Sequence, residues 1–68
     1  MEGLVKWFNT EKGYGFIKYK CKDIYVQYTE ILSSGFKNLV EGEVVEFELV
    51  QTPNGLRAKN VSSKKVTL

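Results

Sequence analysis

Turn-forming clusters at residues 9–13 (NTEKG), 20–23 (KCKD), 41–42 (EG) and 52–55 (TPNG) cut this chain into short runs, and that punctuation limits its fold more than any other feature. The runs are rich in aromatic and β-branched residues, which suit a pleated, half-buried surface, and no helical period holds over a long window. They predict five strands, over residues 4–9 (LVKWFN), 14–19 (YGFIKY), 24–28 (IYVQY), 44–50 (VVEFELV) and 56–61 (LRAKNV). In the fourth, Val45, Phe47 and Leu49 alternate with Val44, Glu46 and Glu48, as expected of a strand with one buried face. Residues 29–39 read as a long loop with one helical turn near 30–32, and residues 62–68 as a frayed end or weak edge. Pro53 followed by Asn54-Gly55 is a strong hairpin turn between the last two strands.

Five short strands must hide their edges, and a small closed or partly open barrel does so economically. OB-type and SH3-like barrels both fit this strand count. A chain of 68 residues that is 43% hydrophobic has room for a single domain, residues 1–68, with one small core. Such a core rarely contributes more than about 3 to 5 kcal/mol, so a melting temperature below the hyperstable range of about 90 °C is expected. Cys21 is the single cysteine and histidine is absent, so neither an internal disulfide nor a common zinc site can be assembled, and no metal or cofactor is expected.

Enzyme chemistry fares poorly for the same reason: no histidine can move a proton, and Cys21 has no histidine to activate it. The glutamates at 41, 43, 46 and 48 read as an exposed strand face, not a metal site. No apolar run approaches the roughly 20 residues of a membrane span, and the start MEGLVKWF lacks the hydrophobic stretch of a secretory signal. The expectation is a cytoplasmic protein with no membrane partner.

The net charge is only +2, but it is unevenly spread. Residues 1–28 hold five lysines against Glu2, Glu11 and Asp23, residues 29–50 hold Lys37 against five glutamates, and residues 51–68 carry Arg57, Lys59, Lys64 and Lys65 with no acid. One basic and one acidic face would follow, and a basic face attracts polyanions. The rings are uneven too: eight of nine lie between Trp7 and Phe36. If Val5, Ile17, Ile24, Val26, Val45, Phe47, Leu49 and Val61 fill the interior, then Tyr14, Phe16 and Tyr25 point outwards and Trp7 joins them. A soluble monomer rarely exposes such a patch without a use for it. Rings interleaved with lysines suit a single-stranded nucleic acid, whose bases stack while its phosphates meet the ammonium groups, at about 1 to 3 kcal/mol per base. An SH3-like module receiving a proline-rich peptide or a methylated side chain is the competing reading.

The stretch KGYGFIKY at residues 12–19 fits the first ribonucleoprotein motif, basic-Gly-aromatic-Gly-Phe-Val-x-aromatic, with Ile17 in place of valine. In an RNA-recognition-motif domain the second aromatic motif precedes it and two helices are required. Here IYVQY follows it, VKWFN at residues 5–9 comes before and GFKNL at residues 35–39 after, an order that resembles a bacterial cold-shock protein from Gly3 to Val61. The resemblance implies an all-β, five-stranded antiparallel OB-fold barrel that binds single-stranded RNA and DNA with low sequence specificity and a pyrimidine preference, acting as an RNA chaperone.

Carried over position by position, it implies a binding face of Lys6, Trp7, Phe8, Lys12, Tyr14, Phe16, Asp23, Tyr25, Gln27, Tyr28 and Phe36. Trp7, Tyr14, Phe16, Tyr25 and Phe36 would stack on bases and Lys6 and Lys12 would meet phosphates. Asp23 would accept from a base edge or, equally, from backbone donors of its turn. Three departures qualify the transfer. The family's VFVHF is IYVQY, so Gln27 brings an amide where a ring stands. Tyr25 and Tyr28 stand for phenylalanines. The usual Gly-Pro-Gln is Gly55-Leu56-Arg57, preceded by Asn54 instead of a basic residue, and Arg57 is the candidate to take over a phosphate contact. A monomer is expected, with strand exchange through the long loop as the route to a dimer.

Overall fold

The computed structural model describes residues 1–32 and 38–63. It is an all-β barrel of five strands, β1 (Glu2–Asn9), β2 (Tyr14–Tyr19), β3 (Lys22–Gln27), β4 (Val44–Thr52) and β5 (Gly55–Ser63), closed in the order β1-β2-β3-β5-β4. Every neighbouring pair is antiparallel except β3 with β5, which join in parallel at Tyr25 and Arg57. A closed five-stranded barrel is what the strand pattern predicts, and its OB-type arrangement is the one that the resemblance implies. Closure gives each strand two neighbours, so the short strands expose little unpaired backbone. No helix among the described residues is long and apolar enough to cross a membrane.

The interior holds Val5, Ile17, Ile24, Val26, Val45, Phe47 and Val61, as the alternation predicts. Leu49, expected with them, is only half-buried and packs against the edge of the cluster. Three further residues complete the core: Ala58 of β5, and Ile31 and Leu39 from the long connection between β3 and β4. Ile31 docks there because it bridges in parallel to Val61, and the Leu32 N–H donates to the Val61 carbonyl at 2.7 Å.

Two irregularities change which way side chains point. On β1 the register slips between Val5, opposite Ile17, and Trp7, opposite Phe16, so Lys6 is an extra residue. Strict alternation would put Val5 and Trp7 on one face; the bulge turns Trp7 outwards and Phe8 inwards. On β5 the register slips around Asn60, whose φ of 51° is left-handed. That bulge lets Ala58 and Val61, three residues apart, both face the core.

Several boundaries differ from expectation. β1 starts at Glu2, because the Phe47 N–H donates to the Met1 carbonyl at 2.8 Å and the Met1 amine donates to the Phe47 carbonyl at 2.9 Å. β3 begins at Lys22 and stops at Gln27, and Tyr28 opens a 3₁₀ turn over Tyr28–Glu30, two residues earlier than the helical turn expected. The Tyr28 N–H donates to the Gly13 carbonyl at 2.8 Å, which takes Tyr28 out of the strand ladder. Ser62 and Ser63 are not frayed; they pair with Glu46 and Val45.

Candidate nucleic-acid interface

The outward face of β1, β2 and β3 carries the rings. Trp7 stands opposite Phe16 and Phe16 opposite Tyr25 in the sheet register, while Tyr14 shares the face of Phe16 one step along β2. The four rings close a quadrilateral: Trp7 to Tyr14 at 5.5 Å, Tyr14 to Tyr25 at 5.9 Å, Tyr25 to Phe16 at 5.8 Å and Phe16 to Trp7 at 5.4 Å between centroids. Trp7 with Tyr14 and Phe16 with Tyr25 meet edge to face, at 73° and 71°. Each ring therefore braces its neighbours, as the ring quadrupoles favour. Trp7 is 37% exposed and the other three are half-buried, so flat aromatic surface reaches solvent without any ring being loose.

Two glycines allow this arrangement. A Cβ on Gly15 would lie 2.7 Å from the Phe8 Cα and would run into the Trp7 carbonyl oxygen, so only glycine lets β1 cross β2 so closely. Gly13 has a φ of +76°, and a Cβ there would stand 2.7 Å from the Tyr28 ring. Tyr28 is thus held beside the β1–β2 turn and is itself 49% exposed.

The polar residues form a frame. Lys6, freed by the bulge, donates to Asp23 at 2.9 Å, both side chains about half exposed. Asp23 is therefore occupied by a lysine, neither of the partners proposed from the sequence. Lys12 is exposed at the turn, where its N–H donates to the Asn9 side-chain oxygen at 2.9 Å. Arg57 is half-buried: its Nη2 donates to Gln27 Oε1 at 2.6 Å, and its guanidinium carbon lies over the Tyr25 ring at 5.1 Å from the centroid. A groove of about 530 Å³ opens beside it, with Phe16, Asp23, Tyr25, Gln27, Leu56 and Arg57 among its walls.

The sequence-predicted residues Lys6, Trp7, Tyr14, Phe16, Asp23, Tyr25, Gln27 and Arg57 thus share one continuous face. Lys12 and Tyr28 sit at its edge by the β1–β2 turn. Phe8 departs from the expectation, since the bulge directs it towards the core, against which it packs half-buried. Phe36 lies outside the described residues. Sequence reasoning missed Thr52 and Asn54 as site residues; they also line the groove, from the β4–β5 turn. No local pattern signals that position.

Three of the glutamates have partners of their own away from the ring patch. On and beside β4, Glu46 accepts from the Met1 amine at 3.0 Å, Glu48 from Asn60 Nδ2 at 3.0 Å, and Glu43 from the Val40 N–H at 3.1 Å and from the Ser63 hydroxyl.

Over residues 1–64 the sequence matches the family described as "'Cold-shock' DNA-binding domain". It is 52% identical over 62 residues to the probable cold shock protein A of Mycolicibacterium smegmatis, covering 88% of this chain and 92% of that protein. Over 60 residues it is 53% identical to the cold shock protein CspB of Geobacillus stearothermophilus, covering 87% and 91%. The cold shock protein CspA of Staphylococcus aureus is 48% identical over 61 residues, covering 88% and 92%. Among solved structures, the barrel superimposes on Drosophila Unr CSD456 with a TM-score of 0.76 at 20% identity; the match covers 94% of this chain and 26% of that one, and the likeness is one of fold.

Proposed function

The chain belongs to the cold-shock domain family, and from that premise we propose that it binds single-stranded RNA and DNA by stacking bases on its ring patch and acts in the cytoplasm as an RNA chaperone. The observation that carries this reading is the quadrilateral of Trp7, Tyr14, Phe16 and Tyr25, four braced rings on the solvent side of three adjacent strands. Stacking tolerates any base, which gives low sequence specificity; a pyrimidine preference comes from the family. Lys6 and Lys12 meet phosphates, Asp23 holds Lys6 in place until a strand arrives, and Tyr28 extends the platform past Gly13. Phe36 belongs to the face by resemblance, and Phe8 packs against the core instead. The domain works as a single unit over residues 1–68, as a monomer, without catalysis.

Trp7 supplies the test. Titration with a seven-nucleotide oligothymidine should quench its fluorescence strongly, with weaker quenching by the adenine heptamer and little by a duplex. Equal quenching by duplex and single strand would refute the stacking mode. No quenching by any of them would favour the peptide-binding barrel instead.

A further inference from the structure

Three features bear on how a base would meet the Tyr25 part of the ring patch. The Arg57 guanidinium carbon lies over the ring, 5.1 Å from its centroid. Gln27 Oε1 accepts from Arg57 Nη2 at 2.6 Å, which holds the guanidinium at that ring. And the parallel pairing of Tyr25 with Arg57 is the point where β3 meets β5, so the two side chains are adjacent on one face of a closed barrel. On its other side Arg57 borders the groove that also reaches Phe16 and Asp23.

A guanidinium is planar, remains charged at any relevant pH and stacks on π-systems, and nucleobases stack on arginine planes as they do on rings. Resting on the proposal that this face binds single strands, we infer that the Arg57 guanidinium is itself a stacking platform: one nucleobase enters the groove and lies on the guanidinium, which is backed by Tyr25 and clamped by Gln27. The arrangement restores a flat surface beside position 27, where the amide of Gln27 offers no ring. Gln27 acts as a positioning residue: its carbonyl oxygen fixes Arg57, and its amide nitrogen remains to meet a base edge. Arg57 is then a base contact whose planarity matters, and not the phosphate contact that its charge alone suggests.

The experiment separates planarity from charge. Wild type, Arg57→Lys and Arg57→Gln are titrated, by Trp7 quenching, with the oligothymidine heptamer and with heptamers carrying one abasic site at successive positions, at two salt concentrations. Arg57→Lys and Arg57→Gln should both weaken binding of the intact strand by about 5- to 150-fold, the range of one stacked base. Both should become insensitive to the one abasic position that costs wild type a similar factor, and Arg57→Lys should keep the wild-type salt slope. Two results overturn the inference: Arg57→Lys binding as tightly as wild type while Arg57→Gln weakens with a shallower slope, which marks a phosphate contact, or unchanged sensitivity to every abasic position in both variants. Loss of quenching in wild type itself would instead remove the single-strand reading on which the inference rests.

Discussion

Gly15 shows how one residue ties stability to the interface. Its missing side chain leaves the space that the Trp7 carbonyl and Phe8 of the paired strand fill, so Gly15→Ala must push β1 away and disturb both core and ring patch. A loss of about 1 to 3 kcal/mol is expected in urea unfolding, the usual penalty for overpacking, and a variant as stable as wild type would contradict the close approach. Phe16 and Phe47 make the complementary comparison. Phe47 is buried and should cost about 3 to 5 kcal/mol on truncation to alanine, enough to unfold a domain of this size. Phe16, half-buried between Trp7 and Tyr25, should cost much less stability and instead reduce oligonucleotide affinity by about 1 to 3 kcal/mol. The reverse order in paired unfolding and binding measurements would place Phe16 in the core.

At the scale of elements, the two bulges decide what faces where. Asn60 sits at φ 51°, a conformation that asparagine and glycine adopt with little strain and other residues do not. Asn60→Ala should therefore destabilise by about 1 to 2 kcal/mol while Asn60→Gly costs less, although both lose the hydrogen bond to Glu48. Equal losses would assign the effect to that bond. The same bulges mark the limit of what the sequence discloses. β2 was legible to the residue, because Tyr14 to Tyr19 is bounded by turn glycine on one side and a polar cluster on the other. Alternation from Val5 would send Trp7 inwards, and alternation from Val61 would send Ala58 outwards; only a register slip, invisible in a string of residues, reverses both. Ile31 and Leu39 sit in a loop whose docking depends on Val61, thirty residues from the first of them. Most of the ring patch could be read from spacing and resemblance, whereas the pairs Lys6 with Asp23 and Gln27 with Arg57 exist only once the barrel closes.

For the whole molecule, barrel closure gathers the rings on one run of strands and leaves the β4 glutamates on another. The rings and their basic frame occupy β1, β2 and β3 with Arg57 of β5, while Glu46 and Glu48 stand on β4. On the proposed reading, a net charge of +2 adds non-specific attraction for phosphates to that of the local patch and lessens dependence on it. Two to four such contacts predict that log affinity falls with log salt at a slope between about −1.4 and −2.8, and a slope near zero in an equilibrium salt titration would remove phosphates from the account. The central claim, that this one face receives a single strand, is tested most directly by chemical-shift mapping as the oligothymidine heptamer is added. Perturbations should concentrate on Trp7, Tyr14, Phe16, Tyr25, Gln27 and Arg57 while Glu46 and Glu48 stay still; perturbations centred on the β4 glutamates, with the rings unmoved, would place the strand elsewhere.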